Sequence, residues 1–261
     1  MSGYDSLPGI NQSALKHILT SPLAYRWWLD HERSPSPSLT RGDAVHVAVL
    51  EPDRFAREYV RAEHSGATKA GKEERVAAAE SGLTLLTATD YDLAVACRDA
   101  VHAHPVARRY LGAIAETEVA LQWSLDGRAC KGRLDAVGHH GLLLELKSTR
   151  ALARFAADCA AYHYPLQLAW YHDGFEQSRT RPSEVIMIAV ETAPPHDVAC
   201  YVVPDSVLEL GRAEYERALR ILSECEGRDT WPGAHPDEEV LVLPGWAYRE
   251  AHPDEETLAD D

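Results

Sequence analysis

Apolar positions recur at helical spacing through the first part of the chain, and in the middle the period changes to that of strands. The segment NQSALKHILTSPLAYRWWLDHE has polar starters at Asn11 and Ser13, and Pro22 within it should break or restart the helix. A second helix is predicted from Leu39 to Leu50, with His46 set among small apolar residues in GDAVHVAVLEP. The Pro/Ser-rich stretch RSPSPSLTRGD joins the two. Positions 53–112 are mixed, with helices predicted near Lys72–Ser81, Asp90–Ala103 and Pro105–Leu111. Then ETEVALQWSLDG, RACKGRLDAVG and GLLLELKST alternate or run apolar, the pattern of a three-stranded meander. A helical stretch from about Leu152 to Gln177, interrupted at HYP, leads to two more strands, EVIMIAVE and HDVACYVV. The segment PDSVLELGRAEYERALRILSECEG closes as an amphipathic helix. This order predicts a mixed α/β (α+β) domain, a central mixed β-sheet flanked by helices with a helical N-terminal part, rather than a regular β-α repeat.

The hairpin GRLDAVGHHGLLLELKST carries charges where a buried strand pair should be apolar. Side chains alternate along a strand, so Glu145 and Lys147 share one face and Leu144 and Leu146 the other. Folding back through GHHG brings Asp135 toward Glu145. Two buried carboxylates repel unless compensated, and Mg²⁺, which takes hard oxygen ligands, compensates them. The same residues also fit a hairpin with one solvated face bearing an ordinary glutamate and lysine. Gln167 and Tyr171, four residues apart in YPLQLAWYHDGF, share a helix face and can together meet a phosphate or orient catalytic groups. Equally, Tyr171 fits a core position and Gln167 a surface one, and His46 fits a satisfied core histidine.

Composition narrows the classes. With 261 residues, 45% of them hydrophobic, the chain can build a sizeable core. A formal net charge of -15 argues against a protein that coats nucleic acid nonspecifically, although the tail REAHPDEETLADD alone contributes six acidic residues. Positive charge gathers in TKAGKEER, ARRY, RACKGR and STRALAR. The five cysteines are scattered singly, which removes zinc, iron-sulfur and dithiol chemistry and predicts reduced, mostly buried thiols. No long apolar run and no basic-then-apolar leader is present, so a soluble, cytoplasmic protein with no membrane partner is expected. Nucleophile elbow, P-loop, dinucleotide fingerprint and H-E-x-x-H are all absent.

GRLDAV, ELKST ten residues further on and QLAWY on the next helix together resemble the PD-(D/E)XK nuclease superfamily in its RecB-like branch. GINQSALKHILTSPLAYRWW, RGDAVHVAVLEPDRF, YHYPLQLAWYHDGF and IAVETAPPHDVACYVV resemble the C-terminal nuclease domain of the RecE exonuclease family, exonuclease VIII, over about Gly9 to Trp231. The resemblance implies one PD-(D/E)XK domain over 1–232, with the helical part at about 9–112, the catalytic sheet core at about 116–225 and an acidic tail at 233–261. It implies that His46, Asp135 and Glu145 hold Mg²⁺, with Mn²⁺ able to substitute, and that Lys147 orients or deprotonates the attacking water. It places Gln167 and Tyr171 near the substrate and Glu118 in an auxiliary acidic position. Glu145 stands where this branch often has Asp, within the superfamily pattern. Lys69, Lys72, Arg75, Arg133 and Arg150 are candidates for contacts to the DNA backbone.

The activity implied is a Mg²⁺-dependent 5′ to 3′ exodeoxyribonuclease on linear double-stranded DNA ends, leaving 3′ single-stranded overhangs for homologous recombination. The partners implied are a RecT-like single-strand annealing protein and further copies of the chain in a ring such as a tetramer, in a bacterial or phage-infected cell. Two alternatives remain: a Cas4-like or restriction-type nuclease, and a catalytically silent DNA-binding assembly module. The lack of a cysteine cluster disfavours iron-sulfur members of the first. Retention of His46, Asp135, Glu145 and Lys147 together speaks against the second.

Overall fold

Asn11 and Ser21 shape the N-terminal helices in the same way. The Asn11 side chain accepts the Ala14 N–H at 2.9 Å and starts α1 (Gln12–Thr20). The Ser21 hydroxyl accepts the Ala24 N–H and starts α2 (Pro22–Asp30), with Pro22 where its missing N–H costs nothing. The computed structural model describes residues 3, 4, 6–31 and 37–244, so positions 33–36 of the Pro/Ser-rich stretch and 245–261 of the acidic tail lie outside the described residues. Helix α3 (Pro37–Leu50) begins inside that stretch, two residues before the predicted Leu39.

Between α3 and residue 112 the chain forms α4 (Pro52–Glu58), β1 (Tyr59–Arg61), α5 (Lys69–Glu80), β2 (Thr84–Leu86), α6 (Ala88–Ala103) and α7 (Pro105–Leu111). The predicted helices at 72–81, 90–103 and 105–111 correspond to α5, α6 and α7. Strands β1 and β2 pair in parallel, Tyr59 with Thr84 and Arg61 with Leu86, and add to this mixed part a small sheet that the sequence pattern does not place. Three-residue strands are too short for an alternation to show.

The large sheet has the order β3-β4-β5-β6-β7, built from β3 (Ile114–Leu125), β4 (Arg128–Gly138), β5 (Leu142–Thr149), β6 (Glu184–Glu191) and β7 (Val198–Val202). The meander is antiparallel, β5 and β6 run parallel, and β7 returns antiparallel. A parallel neighbour needs a long crossover. Here α8 (Phe155–Ala161) and α9 (Tyr164–Ser178) supply it, and the left-handed His163 (φ 51°) turns the chain between them at the HYP interruption. Helix α10 (Asp205–Arg228) closes the described fold.

Strand alternation builds a core on each face of the sheet. On one side Leu142, Leu144, Leu146, Ile186, Ile188 and Val190 pack against Val45 and Val49 of α3, Phe55 of α4 and Val101 of α6. On the other, Leu143, Val185, Met187 and Ala189 pack with Leu15 and Ile18 of α1, Leu166 and Trp170 of α9, and Leu208 and Leu222 of α10. No disulfide links the five cysteines, of which Cys97, Cys130 and Cys225 are buried and Cys159 and Cys200 half-buried.

Helices α9 and α10 meet at Gly211, where an added Cβ would lie 2.0 Å from the Pro165 carbonyl oxygen. Backbone cannot yield as a side-chain tip can, so Gly211→Ala is expected to destabilise the fold by about 2–3 kcal/mol, read from the urea midpoint at unchanged slope.

Candidate active site

The turn at His139–Gly141 folds β5 back onto β4, with His140 at φ 61° and Gly141 at φ 81°. The paired residues are Ala136 with Leu144 and Val137 with Leu143. Continuing that register sets Asp135 across from Glu145. The strands part there, and Asp135 Oδ2 accepts the Leu146 N–H at 2.8 Å in place of a ladder bond. Glu145 is 3% exposed, so the solvated-face reading of this hairpin fails.

Helix α9 covers the charged end of β5. The Gln167 amide nitrogen donates to Glu145 Oε1, and Lys147 Nζ donates to the same oxygen at 2.5 Å. The Gln167 carbonyl oxygen accepts from Lys147 at 3.4 Å and from Lys16, on α1, at 3.3 Å. Both Gln167 and Tyr171 are buried. Tyr171 can lie flat on β4 because position 132 is glycine: an added Cβ would come within 3.0 Å of its ring. From α3, His46 Nδ1 reaches to 3.5 Å of Asp135 Oδ2. From β3, where Glu118 adopts φ 52°, its carboxylate pairs with Arg133 at 3.0 Å.

These groups open into one cavity of about 510 Å³ whose walls include His46, Glu118, Arg133, Asp135, Glu145, Lys147, Gln167 and Tyr171. Four predicted residues stand elsewhere. Lys69, Lys72 and Arg75 lie on α5 beside β2, where Lys69 pairs with Glu73 of its own helix at 3.7 Å. Arg150 lines an adjoining cavity beyond Tyr164. A larger cavity of about 880 Å³, between the β3–β4 turn and α10, holds none of the predicted groups, so chemistry rather than size marks the site.

Burial and mutual charge set the protonation of the cluster. Burial, and then the Asp135 charge, push the Glu145 carboxyl above its ordinary value despite Lys147. Burial also pushes Asp135 up, but the His46 ring, Lys147 and the Leu146 N–H outweigh it and hold this carboxyl below its usual range. His46 and Lys147 are both raised, since the carboxylates overcome the burial that opposes their charge. Glu118 is raised by burial against the pull of Arg133. Burial, with the Asp135 and Glu145 charges, holds the Tyr171 hydroxyl protonated far above its usual range.

Sequence reading missed Lys16. Its only signal was a lysine one turn after Gln12 on an amphipathic helix, and the fold turns that position to Gln167 and to the Tyr164 ring, 5.3 Å from its centroid. Burial first and Lys147 second lower its pKa to about 8. A group lowered in the fold weakens stability below that pH and ceases to do so as pH rises toward its ordinary value. Lys16→Met is therefore expected to stabilise the protein at pH 7 by on the order of 1–2 kcal/mol and to lose that advantage by about pH 10. Thermal melts of both proteins across that range check this.

The donor set fits a hard divalent cation: two carboxylates facing across parted strands and one imidazole. Among the described residues, the His/Cys/Asp/Glu group with ligand atoms all within 4.8 Å of one another is instead His172, Asp173 and Glu176 on α9. That group is held by protein: Arg212 and Tyr215 each bond Asp173 at 2.7 Å. Atoms of His46, Asp135 and Glu145 are spread more widely, with Glu145 Oε1 drawn to Lys147 and Gln167.

A family described as "PDDEXK-like domain of unknown function (DUF3799)" matches residues 11–238. No curated protein matches the chain. Among solved structures, one described as a "Putative exonuclease" from Eubacterium rectale is 14% identical with a TM-score of 0.64, covering 95% of this chain and 94% of that one. An alkaline exonuclease from Laribacter hongkongensis is 16% identical with a TM-score of 0.31, covering 72% of this chain and 96% of that one. The first shares the fold. Among the described residues no helix is long and apolar enough to cross a membrane.

Proposed function

The chain belongs to the PDDEXK-like family DUF3799, and from this premise we propose that it is a nuclease, a Mg²⁺-dependent exonuclease that degrades linear double-stranded DNA from its 5′ ends. The observation that carries the proposal is the meeting of Asp135, Glu145, Lys147 and Gln167 in one cavity that His46 also lines. Bound by His46, Asp135 and Glu145, Mg²⁺ would neutralise charge on the scissile phosphate and lower the pKa of the attacking water. Lys147 presents a fixed cation to the phosphate, aimed by Glu145 and Gln167. Gln167 uses both ends of its amide, one to hold Glu145 and the other to hold the two lysines. Tyr171 keeps its proton and offers a neutral hydroxyl near the acidic pair.

The 5′ polarity, the 3′ overhangs, the ring-shaped homo-oligomer and a RecT-like annealing partner rest on the sequence likeness to the RecE family. The description of the Eubacterium rectale protein of the same fold as a putative exonuclease supports the exonuclease class of the reading.

The test is linear duplex labelled separately at its 5′ and 3′ ends, incubated with Mg²⁺ alongside a closed circle and the Lys147→Ala variant. Early release of the 5′ label from linear DNA alone, lost in the variant, is expected. Cleavage of the circle would make it an endonuclease, and binding without cleavage under any divalent metal would make it an assembly module. Light scattering that finds a monomer at working concentration would remove the ring.

A further inference from the structure

Beside the active site lies a second cavity that the catalytic groups do not use. It measures about 470 Å³, within the range that holds a small ligand, and begins where β5 passes Lys147. Its walls carry Arg150, Arg154, Asp158, Tyr162 and Tyr164 over a floor that includes Phe155. Among the described residues neither Arg150 nor Arg154 has a carboxylate partner, so both guanidinium groups are available to an anion. Tyr162 ends α8 and is 60% exposed, its ring 6.0 Å from that of Tyr164 and inclined to it by 35°. Tyr164 ties the cavity to the catalytic centre, because Lys147 Nζ lies 4.8 Å from its ring centroid.

Two free guanidinium groups and an open aromatic face are the parts that recognise a phosphate and a base together. From Lys147 to Arg150 the chain advances three residues, about 10 Å at strand spacing, a distance a single strand spans in one or two nucleotides. Resting on the nuclease reading, we infer that this cavity is a nucleotide subsite. A base stacks on Tyr162, its phosphate meets Arg150 and Arg154, and the strand is thereby held unpaired next to the phosphate that is cut. Stacking is tolerant of base identity, as degradation of arbitrary sequence requires. Asp158, the carboxylate in the wall, opposes the phosphate and keeps the hold weak enough for the strand to advance.

The cavity contains none of the candidate metal ligands, so its ligand can be tested without metal. A fluorescein-labelled thymidine hexamer, followed by anisotropy in EDTA with the full chain, is expected to bind about tenfold more weakly to Tyr162→Ala and as in the parent to Tyr162→Phe. Replacing Arg150 and Arg154 together by Gln should flatten the salt dependence by roughly 0.7 per charge removed, and Asp158→Asn should tighten binding. Displacement of the hexamer by a deoxynucleoside 5′-monophosphate would show that released product also occupies the subsite, and displacement only by unlabelled hexamer would confine it to the strand. Equal binding by Tyr162→Ala and the parent, or equal weakness of the Ala and Phe variants, would overturn the subsite.

Hydrolysis with Mg²⁺ separates the two readings. An active parent whose Tyr162→Ala variant shows KM raised roughly tenfold at nearly constant kcat supports both. A parent without hydrolysis but with Tyr162-dependent hexamer binding removes the nuclease reading and leaves the subsite.

Discussion

Asp135→Asn is expected to lower Mg²⁺-supported hydrolysis of linear DNA by at least about a thousandfold without unfolding the protein. Asparagine has the shape of aspartate, and its carbonyl oxygen can still accept the Leu146 N–H that Asp135 takes at 2.8 Å. What it removes is one of the two opposed carboxylates proposed to hold the metal, and the charge that raises the His46 pKa. The Glu145 pKa should then fall, since Asp135 is the second cause of its elevation after burial. A carboxyl whose pKa is raised in the fold gives stability below its ordinary range and loses it as pH rises through the raised value. Lowering that value relieves the metal-free protein at neutral pH, offsetting the lost His46 contact, and the variant should melt within about 1 kcal/mol of the parent. The parent should gain thermal stability on addition of Mg²⁺ and the variant should not, because a ligand stabilises only the fold that binds it. Activity within tenfold of the parent would remove Asp135 from the metal site.

The charged hairpin was legible because strands have a period of two. A run such as LLLELKST can bury Leu144 and Leu146 on one face only by sending Glu145 and Lys147 to the other, and the two cores are divided in that way. Helical spacing likewise gave the shared face of Gln167 and Tyr171. Sequence could not decide whether that face met solvent or the hairpin, since this depends on a crossover that returns α9 over the charged end of β5. Lys16 was invisible for the same reason: its partner Gln167 is 151 positions away. The basic run at Lys69, Lys72 and Arg75 shows a different limit. A cluster of charge along the chain marks a helix face without saying where the fold puts it, and α5 sits beside β2 rather than in the catalytic cavity. The short β1–β2 pair left no periodic trace at all.

Lys147→Met is expected to reduce kcat by about a hundredfold to a thousandfold while duplex DNA still binds, because one preorganised cation aimed at a phosphate carries that much of the barrier. Methionine fills the space of the lysine stem, so the loss measures charge rather than a cavity. The change also leaves Glu145 buried with Gln167 and without its ammonium partner. An unpaired buried carboxylate takes up a proton in preference to staying charged, so the Glu145 pKa, already raised by burial and by Asp135, should rise further. The sign of the pH dependence follows. Below the ordinary glutamate range Glu145 is protonated whether the chain is folded or unfolded, and its titration contributes no difference between variant and parent. As pH rises toward 8 the variant must either retain a proton that the unfolded chain has released or bury a bare charge, and it should lose on the order of 2 kcal/mol relative to the parent. Mg²⁺ should return part of that stability, because a cation at the proposed site would neutralise the same carboxylate, yet leave activity low, because it would not replace the ammonium proposed to face the phosphate. Thermal melts at pH 3.5 and pH 8, with and without Mg²⁺, together with single-turnover hydrolysis, separate the two roles of Lys147. A variant that recovers activity along with stability would show that the lysine serves the fold and not the reaction.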